Sequence, residues 1–243
     1  MKTPFVRLVA LFLLVSISSG TAMAQEHRRH RKPLPNVLAG DSLVSGGYTL
    51  IFVSNYPALD TVTKQNMINA FFTVYPKEVE RFNKASLTKI IFFVDTSYKG
   101  VAETGNGMAR FNPQWLKNHP QDIDVVTHEV MHVVQAYKDY NPGWLTEGIA
   151  DYVRYVYGVN NKGGGWTLPN YKAGQSYENA YRVTARFLLW VEKNKYNKIV
   201  DDMDNAMREG TYTPELWTKL TGRTVDALWS EYAVSPAIEL TYN

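Results

Sequence analysis

The segment His128-Glu129-Val130-Met131-His132 is the part of this chain whose residue types and spacing could do chemistry. Valines at 125, 126, 133 and 134 flank it. That pattern predicts a helix over residues 122–138, preceded by Pro120 and stopped by Asn141-Pro142-Gly143. On a helix, residues four apart share a face, so the two imidazoles project side by side and can hold one tetrahedral metal ion. Glu129 stands one position round from the first histidine. It is near such a metal without having to ligate it, where a general base acting on a metal-activated water belongs. The chain contains no cysteine, so a metal site here must be made from His, Asp and Glu.

A third ligand is needed. After the Asn-Pro-Gly turn, Trp144-Leu145-Thr146-Glu147-Gly148-Ile149-Ala150-Asp151 opens a second predicted helix, with Glu147 in its first turn. A turn between two helices can fold the second back on the first and bring an early glutamate to the histidine pair. Two histidines with one glutamate is an established catalytic zinc set, so the reading is Zn2+ on His128, His132 and Glu147. The other histidines are His27 and His30 near the N-terminus and His119 just before Pro120. His119 is the alternative ligand, and its place on the approach loop favours solvent. Asp151 lies one turn beyond Glu147 on the same face, placed to accept the N–H of a ligand imidazole. Hydrolysis also passes through an oxyanion that needs a donor besides the metal, and a phenol can supply one without charge. Tyr177 and Tyr181, four apart on a predicted helix, are the candidates, with Tyr177 preferred.

The H-E-x-x-H pair followed by E-x-x-x-D resembles the gluzincin metallopeptidases, and the W-L-x-E-G-x-A form around Glu147 is similar to that of zinc aminopeptidases. A fuller resemblance is to the basic secretory protein family, peptidases of plants and bacteria. Its pattern H-E-x-x-H-x-x-Q, then L-x-E-G-I-A-D-Y-V-R, then G/A-Y-x-V-T-A-R-F-L is carried by residues 128–135, 145–154 and 180–188. The resemblance spans residues 48–232 and implies a zinc metallopeptidase. It also likens Tyr177-Glu178-Asn179-Ala180 to the Y-E-K-G segment of zinc aminopeptidases, whose tyrosine stabilises the oxyanion. The gap between His132 and Glu147 is shorter here than in the aminopeptidase and thermolysin-like relatives.

The elements that must position these residues are legible in outline. Residues 48–54 and 89–94 are β-branched and aromatic runs that predict strands. Residues 63–83 have helical spacing, with Pro76 expected to kink or split the helix. Residues 100–111 predict a looser strand or hairpin at a sheet edge, where 107–111 could pair with an extended peptide substrate. Helices follow at 145–157, 177–195, 214–220 and 224–232, with Gly163-Gly164-Gly165 marking a loop. Met131 and the run 186–190 read as core. The fold class is α+β and zincin-like: a small mixed sheet with the zinc-binding helix in the N-terminal half, and a mainly helical C-terminal half.

Lys2 and Arg7 precede an apolar run that ends in Ala22-Met23-Ala24, which reads as a signal peptide over residues 1–24. Residues 25–40, with Arg28-Arg29-His30-Arg31-Lys32, read as a flexible basic leader. Residues 41–243 form the peptidase domain, expected as two lobes around a cleft. Export to periplasm or medium is the implied destination, with no transmembrane segment in the mature chain. Removing 1–24 takes away two bases and no acid, which lowers the formal charge from +3 to +1. The body is therefore not basic, and no aromatic and basic interleaving suggests nucleic-acid binding. The expected partner is a peptide or polypeptide substrate, and the expected state is a monomer. Two other readings compete: a binding protein of defence or envelope recognition that keeps a relic zinc site, and an amide hydrolase acting on peptidoglycan or a small molecule.

Overall fold

A computed structural model describes residues 39–242. The expected signal peptide, and the expected basic leader up to residue 38, lie outside the described residues. Among those described, there are eight α-helices and five strands, and the strands form one mixed sheet. The strands are β1 (Ala39–Ser45), β2 (Tyr48–Ser54), β3 (Lys89–Val94), β4 (Ala102–Gly105) and β5 (Met108–Phe111), in the order β1-β2-β3-β5-β4. β2, β3 and β5 run parallel, while β1 and β4 are antiparallel edges. β5 therefore lies inside the sheet, and the edge on that side is β4 rather than residues 107–111. A tight turn at Asn106-Gly107, both with positive φ, reverses the chain between them. β1 begins at Ala39, inside the span assigned to the leader.

Helix α1 (Thr61–Phe82) connects the parallel strands β2 and β3. Asp60 caps it by accepting from Thr63 N at 2.7 Å. Its buried face, with Met67, Phe71, Val74, Tyr75, Val79 and Phe82, lies on the sheet. Phe92 of β3 meets Phe71 at 5.5 Å between ring centroids and Phe111 of β5 at 5.1 Å, so one aromatic layer joins helix to sheet. Pro76 does not split α1, which runs unbroken through it. A helix-interior proline costs about 3 kcal/mol. Buried residues on both sides, each worth roughly 1.5–3 kcal/mol, outweigh that.

Two helices carry the motif residues. Between β5 and the first of them, α2 (Pro113–Asn118) starts with Asn112 as cap and proline at its first position. α3 (Val125–Gln135) is shorter than 122–138, because Ala136 takes the left-handed conformation (φ 46°) and ends it. Nearly all of α3 is buried, with α1, β4 and α4 (Gly143–Tyr157) packed around it. The outer ends of α3 and α4 are tied together. Arg154 near the end of α4 pairs with Asp122, and Asp124 accepts from the backbone of Val159 and Asn160 at 2.7 and 2.6 Å.

The C-terminal half holds α5 (Tyr181–Asn194), α6 (Ile199–Glu209), α7 (Glu215–Thr221) and α8 (Val225–Val234). α5 packs tightly on α4: a Cβ at Gly148 would meet Thr184 Cγ2 at 2.3 Å. The expected helix over 177–195 is broken. Tyr177–Asn179 forms a separate 3₁₀ turn, then Ala180 and Tyr181 adopt positive φ of 60° and 49° before α5 begins. Local side-chain bonds compete successfully with a continuous helix. Asn179 Oδ1 accepts from Ser176 N at 2.8 Å, and Thr184 Oγ1 donates to the Tyr177 carbonyl at 2.5 Å. α6 is not among the expected helices, although Ile199, Val200, Met203, Ala206 and Met207 recur at helical spacing and are buried on one face. Among the described residues, no helix is long and apolar enough to cross a membrane.

Candidate metal centre and active site

His128 and His132 stand one turn apart on α3, and the loop 136–142 folds α4 back so that Glu147 faces both. Their ligating atoms lie within 4.8 Å of one another. The two Nε2 atoms are 3.2 Å apart, and Glu147 Oε2 is 3.1 Å from that of His128 and 3.6 Å from that of His132. Ligand atoms around one tetrahedral zinc, each about 2.0–2.1 Å from the ion, sit roughly 3.3 Å apart. The set fits.

The outer nitrogens of both rings are engaged. His128 Nδ1 bonds Asp151 Oδ1 at 2.8 Å and His132 Nδ1 bonds Gln135 Oε1 at 2.7 Å. Both partners accept, so each ring keeps its proton on Nδ1 and turns the Nε2 lone pair inward. Two lone pairs and a carboxylate oxygen then converge in a buried space, an arrangement that calls for a cation. The electrostatics agree. Burial pulls the His128 ring down, but the carboxylates of Asp151 and Glu147 more than reverse this and hold it up at about 10. Burial likewise pushes Glu147 up, and its bonds to His128 and His132 overturn that, leaving it well below the usual carboxylate range. The same carboxylates supply the negative charge that a cation bound between the two rings would need.

Glu129 points from α3 towards β4. Thr104 Oγ1 lies 2.7 Å from Glu129 Oε2 and 3.0 Å from the Glu129 carbonyl, tying this carboxylate to the edge strand. Tyr181 is half exposed, with its ring nearly parallel to that of His128 at 6.2 Å. Burial, then the carboxylates of Glu147, Asp151 and Glu129, raises its hydroxyl and keeps it protonated. Tyr177 is elsewhere. Its hydroxyl donates to Asp226 at 2.8 Å and its ring packs on Trp144, Phe187 and Trp229, outside the cleft lining. The break at Ala180 separates the two tyrosines that a single helix would have aligned. His119 caps α2, exposed and stacked on Trp115 at 3.9 Å; it lines the cleft without joining the ligand cluster. Met131 and residues 186–190 are buried core, as expected.

All these groups except Tyr177 and the core residues open onto a cleft of about 1360 Å³ that runs along β4. Thr104 and Tyr140 carry no signal in the sequence, and Gln135 enters there only as the last position of the H-E-x-x-H-x-x-Q pattern. Gln135 stands three positions beyond His132 on the same face. Tyr140, whose hydroxyl donates to Glu147 Oε1, sits in a loop.

An M1 zinc metallopeptidase with bound L-tryptophan shares the fold at TM-score 0.51 and 10% identity, over 84% of this chain and 53% of that one. An M1 zinc metallopeptidase from Deinococcus radiodurans is similar at TM-score 0.46 and 11% identity, over 84% and 52%. An aminopeptidase N family protein from Idiomarina loihiensis gives TM-score 0.43 and 11% identity, over 83% and 45%. The chain spans about half the length of these structures. No curated protein matches. Residues 44–232 match the BSP family, described as a peptidase of plants and bacteria, and the match takes in both helices of the histidine and glutamate cluster; the chain belongs to that family.

Proposed function

We propose that this protein is an exported, zinc-dependent, zincin-like metallopeptidase acting on polypeptides. The observation that carries the reading is the convergence of His128 Nε2, His132 Nε2 and Glu147 Oε2, with Glu129 beside them on the edge-strand side. His128, His132 and Glu147 would hold the ion, with Asp151 and Gln135 orienting the two rings. A bound Zn2+ supplies Lewis acidity to the scissile carbonyl and to the attacking water. Glu129 takes the proton of that water and passes it to the leaving amine. The Tyr181 hydroxyl donates to the oxyanion, since the Tyr177 hydroxyl is committed to Asp226. An extended peptide would lie along β4, the edge strand bordering the cleft, by strand addition. The open cleft supports a polypeptide over a small amide. Export would follow from residues 1–24, and the catalytic unit would be a monomer.

The test is digestion of a complex peptide mixture by the mature protein, read by mass spectrometry, with and without a zinc chelator and beside Glu129→Gln. Chelator-sensitive cleavage that vanishes in a variant still holding one zinc supports the reading. Zinc-loaded protein that cleaves nothing, or a fully active Glu129→Gln, refutes it.

A further inference from the structure

We propose that Tyr140 is a positioning residue that decides which oxygen of Glu147 faces the two imidazoles, and so sets how tightly the site holds its metal. The inference rests on the metal reading above. A carboxylate with two unengaged oxygens can rotate and present either or both. Here the choice is made: the Tyr140 hydroxyl donates its one proton to Oε1, and Oε2 is left towards His128 and His132.

The loop that carries Tyr140 is built to hold it there. Thr146 Oγ1 donates to the Tyr140 carbonyl at 2.7 Å. Gln135 Nε2 donates to the Thr146 carbonyl at 2.9 Å, while Gln135 Oε1 accepts from His132 at 2.7 Å. A hydrogen-bonded path thus runs from one ligand, His132, through Gln135, Thr146 and Tyr140 to another, Glu147. The ring itself rests on the first turn of α4, where Gly143 leaves it room: a Cβ there would lie 2.6 Å from Tyr140 Cε1. A side chain at 143 therefore requires the ring to shift from its place beside Glu147. Because its proton is spent on the ligand carboxylate, Tyr140 is not the oxyanion donor, and the short connection between the ligand helices has a task of its own.

Tyr140→Phe removes the donor and keeps the ring on Gly143; Gly143→Ala keeps the donor and displaces the ring. Metal-free wild type and both variants are titrated with Zn2+ against a chromophoric chelator, and Co2+ absorption is recorded on each. Wild type is expected to take one Zn2+. Both variants are expected to bind it roughly tenfold or more weakly, within the 10–100-fold range of partners behind a metal ligand. Their Co2+ spectra should change in the visible region, because Glu147 is freed to present both oxygens, whereas a merely structural tyrosine would leave them alone. Wild type that binds Zn2+ while Tyr140→Phe binds it within twofold, with the same Co2+ spectrum, overturns the inference alone. Wild type that takes up no Zn2+ removes the metal reading and the inference with it.

Discussion

Replacing Asp151 by Asn keeps an oxygen within reach of His128 Nδ1 and removes the charge; replacing it by Ala removes both. The native contact is 2.8 Å and Asp151 is buried, so neither change is masked by solvent. A hydrogen bond to an ionised acceptor is about twice as strong as a neutral one, a difference of about 1–1.5 kcal/mol. Since about 1.4 kcal/mol is a factor of ten, Asp151→Asn should weaken zinc binding roughly tenfold. Asp151→Ala also leaves a buried ring N–H without a partner and should approach a 100-fold loss. Chelator competition at fixed pH orders the three proteins, and the zinc-induced rise in melting temperature should fall in the same order. Equal affinities within a factor of two would refute the reasoning. So would Asn binding more weakly than Ala, because charge and hydrogen bond would then not be the operative terms.

The metal-free protein should lose stability as pH rises. His128 is held in the fold at about 10 against an ordinary 6.5, so its contribution is complete below about 6.5 and disappears towards 10. Melts in chelator at pH 6, 8 and 10 should show a falling midpoint, and a flat or rising one counts against this. Gly148→Ala should destabilise by about 1–3 kcal/mol in urea, although Ala is the better helix former, because the new methyl meets Thr184 at 2.3 Å. An unchanged midpoint would mean that α4 and α5 can part freely. Tyr181→Phe should cut kcat by roughly 10²–10³ with metal content intact, whereas Tyr177→Phe should cost only the Asp226 bond, about 1 kcal/mol of stability, with turnover preserved. The opposite pattern would return the donor role to Tyr177.

The sequence by itself determined what depends on helical periodicity. His128 and His132 share a face because residues four apart must, Asp151 follows Glu147 by the same rule, α1 shows in its helical spacing, and β2 and β3 show in their β-branched and aromatic runs. It also indicated that α4 would fold back, since Asn-Pro-Gly leaves a helix few ways to continue. Tertiary structure decided everything that turns on competition between local and distant bonds. Burial on both sides carried α1 through Pro76, which propensity alone would break. The Ser176 cap and the Thr184 hydroxyl cut the 177–195 helix at Ala180 and sent Tyr177 to Asp226 and Tyr181 to His128. Strand order decided that β4, not β5, is the edge on that side, because register between strands distant in sequence leaves no periodic trace. Thr104 and Tyr140 reach Glu129 and Glu147 from an edge strand and a loop, where no repeat in the chain records which way a side chain will point.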